Sequence, residues 1–178
     1  NPSYYQERGD ILSNNFNTLH FSTDLDKAGS YAAVWQIVQR TAEYALGKRR
    51  NCMMLFLDDL PLGLGAYYPV GTNNIVLNRA LVDVVEIKIA NKATVNALIY
   101  NLLLHEYLHA LGQMSEVGVR AEVVEVAKRS FGEEHIATVM ARKSPWMLLK
   151  DLPLGAMPSR KRVMEIVSDF EKTGRYVV

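Results

Sequence analysis

The pentapeptide His105-Glu106-Tyr107-Leu108-His109 lies inside an apolar run spanning residues 94–112, and no other feature constrains this chain as tightly. A leucine-rich run of that length reads as a buried helix, and on a helix residues four apart share one face. Two imidazoles and a carboxylate within one turn are expensive to bury unless their polar atoms are satisfied together. A divalent metal does this: the two histidines grip one Zn²⁺, and Glu106, next to the first, reaches water on the ion. HExxH is thus the outline of a zinc hydrolase. The competing interpretation, a core helix whose histidines hydrogen-bond inside the protein, must satisfy each of those groups separately.

Length and composition allow such an enzyme. A chain of 178 residues, 49% hydrophobic and 22% charged, is expected to form one domain, residues 1–178, that buries roughly 70% of its unfolded-state surface, so metal is not needed merely to fold it. The formal net charge of +1 gives no argument for nucleic acid or a membrane as partner. The one locally basic stretch, 142–162, reads as solvated surface. Cys52 is the only cysteine, which excludes an intrachain disulfide and suggests a reducing compartment; its apolar neighbours predict that it fills core space. No stretch reaches the roughly 18 apolar residues of a membrane span, and no charged-then-apolar leader opens the chain, so the expected location is cytoplasmic. Asn1 in place of Met leaves room for a trimmed upstream piece.

The fold class expected is α+β: a small mixed sheet with a hairpin, backed by helices that include the HExxH helix, with a core over about 24–143. Residues 1–23, with Pro2, Gly9 and Ser13-Asn14-Asn15, read as an irregular lead-in with at most one short element. Asp24 is the expected N-cap of a helix to about Leu46, ended by Gly47. Residues 52–57 suit a buried strand, and 65–70 with 74–78 flank Gly71-Thr72-Asn73 as a hairpin. Residues 81–90 are ambiguous between helix and strand. Thr94 is the expected cap of the motif helix, and Gly112 its left-handed end. Ser115 starts a helix to about Ser130, Phe131-Gly132 breaks it, and Glu133-Glu134-His135-Ile136 starts the next, to about Lys143. An irregular crossing over 144–158 leads to a last amphipathic helix capped by Ser159, carrying Val163, Ile166, Val167 and Phe170, and ended by Gly174.

A catalytic zinc needs a third protein ligand and an open position. In an HExxHxxGxxH arrangement Gly112 is in place, but Ser115 stands where the third histidine belongs, so only Glu116 can substitute. A glutamate from the following helix, Glu122 or Glu125, is a second choice, although an amphipathic helix would place either on its solvated face. The third and preferred choice is His135, in the first turn of the helix after that. Glu133 or Glu134 could ligate instead or orient an imidazole, though acidic residues also suit a helix N-terminus.

The order Asn74-Ile75-Val76-Leu77-Asn78, then HEYLHALG, a helix, and Phe131-Gly132-Glu133-Glu134-His135 resembles the minigluzincins, small soluble prokaryotic metallopeptidase-like proteins related to the catalytic domains of membrane-embedded gluzincins. The resemblance covers roughly residues 52–142, with HExxH as its one highly specific motif. It implies a zincin-like fold, zinc as cofactor and a histidine as third ligand, which favours His135. It also implies that C-terminal segments can occupy the cleft, so the tail Arg175-Tyr176-Val177-Val178 is a possible plug.

The reaction expected is peptide-bond hydrolysis, with peptide or unfolded polypeptide as substrate. Glu106 acts as general base toward water activated by zinc and then passes the proton to the leaving amine. Residues 75–78 are the expected rim strand for an extended peptide. Tyr67, Tyr68, Tyr100, Tyr107 and His20 are unranked oxyanion donors. The alternative function is a catalytically silent zincin fold in which a closed metal site stabilises an interaction module.

Overall fold

The computed structural model describes residues 2–153 and 155–167. Among them are six α-helices, α1 (Pro2–Lys27), α2 (Tyr31–Leu46), α3 (Arg79–Ile89), α4 (Lys92–Ala110), α5 (Glu116–Phe131) and α6 (Ile136–Lys143). Four short strands, β1 (Met54–Asp58), β2 (Ala66–Tyr67), β3 (Asn74–Asn78) and β4 (Glu165–Ile166), form one mixed sheet in the order β2-β3-β1-β4. The α+β class read from the sequence is thus the observed one. No helix among the described residues is long and apolar enough to cross a membrane.

α4 is the centre of the molecule. It is apolar around most of its circumference, so it must be surrounded on all sides, and α1, α2, α3, α5, α6, β2 and β3 all pack against it. Asn91 rather than Thr94 caps it, accepting a hydrogen bond from Thr94 N at 3.0 Å. Asparagine is among the strongest N-cap residues, and it takes the start of the helix three residues earlier than expected. At the other end Gly112 adopts φ +110, the left-handed turn anticipated there.

The lead-in is the largest departure from expectation. Residues 2–27 are helical, and Asp24 lies inside α1 instead of capping α2. Phe21 and Leu25, one turn apart, are buried in the core, and Asn96 of α4 donates to the carbonyls of Leu25 and Ala28 at the helix end. Tertiary packing over that last stretch outweighs the weak local propensity of the Asn-rich residues. The chain breaks at Gly29-Ser30, where Ser30 Oγ accepts from Ala33 N to cap α2. Gly47 ends α2 at φ +65 as expected.

In the sheet, β1 and β3 are parallel, with Leu55 opposite Ile75 and Leu57 opposite Leu77, all four buried on the core side. β2 runs antiparallel to β3 and completes the hairpin. The strand predicted from residue 52 starts two residues late, because Cys52 occupies a left-handed turn position at φ 60 and is exposed, not a core filler. The ambiguous segment is α3, capped by Asn78. The expected last helix is instead extended: Glu165 and Ile166 pair antiparallel with Leu57 and Phe56, closing the open edge of β1. Arg162 anchors that segment on buried Asp59, a tie stronger than the weak i, i+3 apolar pattern of Val163, Ile166 and Val167. Phe170, Gly174 and the tail 175–178 lie outside the described residues.

Candidate metal centre and cleft

His105 and His109 stand on one face of α4, their rings 5.1 Å apart, half-buried where the helix emerges from the core. The carbonyl of Gln113 lies 2.7 Å from His109 Nδ1. A carbonyl only accepts, so the proton sits on Nδ1 and Nε2 keeps its lone pair unless the ring is charged. That lone pair faces Glu116 Oε1 at 2.9 Å, and His105 Nε2 faces Oε2 of the same carboxylate at 3.2 Å. Acceptor faces acceptor at His109, so that contact needs a proton or a cation between the two groups, whereas His105 can donate from a neutral Nε2–H or share the same cation.

A zinc ion fits this donor set. Ligand atoms of His105, His109 and Glu116 lie within 4.8 Å of one another; ligands of tetrahedral zinc stand about 3.3 Å apart, close to the separations seen. The Nδ1–H bond to a backbone carbonyl is the outer contact that fixes the tautomer of a metal-binding imidazole. Glu116 reaches the pair because the turn at Gly112 is tight and the first turn of α5 is clamped. Ser115 Oγ accepts from Gly118 N, while the Gln113 side chain accepts from Ser115 N. Gly118 leaves room for that amide: a Cβ there would lie 2.6 Å from Gln113 Cδ.

His135 does not join the group. Its Nδ1 accepts from Ala137 N at 3.1 Å, capping α6, and its Nε2 lies 2.8 Å from Asp26 Oδ1 on α1. Both ring nitrogens are therefore occupied. α5 does return the chain to α4, but α6 lands at Asn101, which donates to Ala137 O one turn before His105, and the imidazole turns toward α1. The other carboxylates are elsewhere: Glu122 accepts from Gln113 Nε2, Glu133 pairs with Lys128 and Arg142, and Glu125 and Glu134 are exposed.

Glu106 points into a cleft of about 630 Å³ that His105 also lines. Burial pushes its carboxyl up to about 7, with the Glu116 charge acting in the same direction and His109 and the Tyr68 backbone opposing. Burial likewise lowers the His105 value, favouring the neutral, ligating imidazole; Glu116 opposes this, while His109 and Arg120 add to it.

One cleft wall is the 63–66 segment leading into β2, drawn against α4 by Gly65, where a Cβ would sit 2.5 Å from Leu102 Cδ2. The opposite side includes Arg120 and Val124 of α5 and Trp146 beyond α6. The expected rim strand is corrected: β3 is paired on both sides, and β2 is the edge.

None of the five residues considered as oxyanion donors lines the cleft. Tyr100 is buried against Thr41, Tyr107 OH accepts from Arg50 N, and Tyr68 OH accepts from Arg50 and Gly71 N. His20 is 3.5 Å from Asp24, and Tyr67 is half-buried in β2. Two cleft residues went unnoticed in the sequence. Asn101, four residues before His105, has its Oδ1 buried without a partner. Arg120 stands four residues after Glu116. Extending the i, i+4 rows of the two site helices by one turn finds both.

No family model, curated protein or solved structure matches this chain.

Proposed function

We propose that this chain is a zinc-dependent metallopeptidase of zincin-like fold, with His105, His109 and Glu116 as the protein ligands. The observation that carries this reading is the convergence of those three groups beside Glu106 at the mouth of a cleft. Two histidines and one glutamate beside a cleft suit the donor chemistry of a catalytic zinc, which keeps one position for water. Zinc bound there supplies Lewis acidity toward water and the substrate carbonyl. The resemblance to minigluzincins read from the sequence implies a histidine as third ligand, and this reading departs from it with a glutamate close after the motif.

The chain's own groups do the rest. Glu106 takes a proton from the attacking water at its carboxylate and hands it to the leaving amine, a role suited to a carboxyl held near neutrality. An extended peptide adds along the free edge of β2, the cleft wall, where main-chain hydrogen bonds give affinity. A lone, exposed Cys52 suits a reducing, cytoplasmic setting.

Glu106→Gln tests the reading: the variant should keep one equivalent of zinc and lose hydrolysis of unfolded polypeptide by at least about a hundredfold. Turnover equal to wild type would mean that another group is the base. Stoichiometric zinc with no hydrolysis in the wild type would favour the silent, metal-stabilised module.

A further inference from the structure

The two guanidinium groups lining the cleft differ in what holds them. Arg142 is paired with Glu133. Arg120, exposed on α5, has no hydrogen-bond or ion-pair partner among the described residues, yet it lines the same cleft as His105 and Glu106. The neighbouring polar atoms differ in kind: the unpartnered Asn101 Oδ1 and the Glu106 carboxylate take hydrogen bonds or a proton, whereas Arg120 only donates. Donors on a ligand therefore go to Glu106, and an anionic group goes to Arg120, whose planar fork matches a carboxylate.

We propose that Arg120 determines specificity by receiving a carboxylate of the substrate. This rests on the metallopeptidase reading and narrows it. The carboxylate is either the free C-terminus of a peptide or an acidic side chain; the chemistry recognised is the same. Arg120 and His105 line one cleft, so the docked carboxylate lies within a few residues of the bond being cut.

Peptides of one apolar sequence, prepared with a free C-terminus, with a C-terminal amide, and as amides carrying glutamate at successive positions, decide the matter. Binding to the zinc-loaded full chain is measured by calorimetry and by the fluorescence of Trp146, which lines the cleft while Trp35 is fully buried. At least one carboxylate-bearing peptide should bind about tenfold more tightly than the plain amide, and whichever does so identifies the source. Arg120→Ala and Arg120→Glu should abolish the preference, and Arg120→Lys should retain part of it. Equal affinities in the wild type, or a preference that survives Arg120→Ala because the carboxylate sits on the zinc alone, would overturn the proposal. Turnover measured in parallel separates the two readings: a carboxylate preference lost in Arg120→Ala without hydrolysis of any peptide sinks only the peptidase, and hydrolysis without that preference sinks only the carboxylate site.

Discussion

At the scale of single residues, Glu106 carries the clearest electrostatic consequence. Its carboxyl, held at about 7 in the fold against an ordinary 4.5, binds a proton that the unfolded chain releases. Stability from that proton is fully present below the ordinary value and is lost as pH rises through 7, so in metal-free protein the ionised side chain opposes folding at alkaline pH. Glu106→Gln, which carries no charge, should therefore be more stable than metal-free wild type by about 3 kcal/mol near pH 8 and little different near pH 4, as read by urea denaturation. Equal stability at both pH values would mean that the carboxyl is solvated. His105, Glu106 and His109 are legible in the sequence because helix periodicity alone places them. The choice of Glu116 over His135 as third neighbour is not, since Glu116 reaches the pair through a turn between helices, and His135 is withdrawn by capping α6 and by Asp26, neither of which spacing reveals.

At the scale of elements, the cleft wall depends on one fully buried asparagine. Asn78 accepts from Leu60 N and Leu81 N and donates to the carbonyls of Leu60, Pro61 and Leu64, so it caps α3 and holds the loop before β2 in place. Asn78→Ala should cost about 2–4 kcal/mol and weaken peptide binding while leaving zinc content unchanged, because no metal ligand is on that loop. Denaturation and metal analysis of one preparation check both halves; a loss of zinc would tie the loop to the metal site. The hairpin, the C-terminal ends of α2 and α4, and α5 can be read locally from glycine and cap residues. α1 and β4 cannot. The Asn-rich stretch is helical because Phe21 and Leu25 at its far end find the core, and β4 forms because β1 offers an open edge and Asp59 a buried charge.

At the scale of the whole molecule, Asp59 links the sheet, α3 and the segment carrying β4. It is 1% exposed, and hydrogen bonds from Arg162, then from Arg79, hold its carboxyl well below the usual carboxylate range. The stability this contributes is present above the unfolded value of about 4 and is lost as pH falls toward the depressed folded one. Asp59→Asn should cost about 3 kcal/mol at neutral pH, by removing the buried charge that Arg79 and Arg162 share, and flatten the acid limb of the stability curve. An acid limb identical to wild type would assign acid unfolding to other carboxylates.

The same long-range assembly that closes the sheet brings α5 back over α4, and the account turns on what that contact holds. The most direct test is anomalous scattering at the zinc edge from crystals of the zinc-loaded chain. A single peak is expected about 2.0–2.2 Å from His105 Nε2, His109 Nε2 and a Glu116 carboxylate oxygen. A peak elsewhere, or His135 in place of Glu116 at the third vertex, would contradict it.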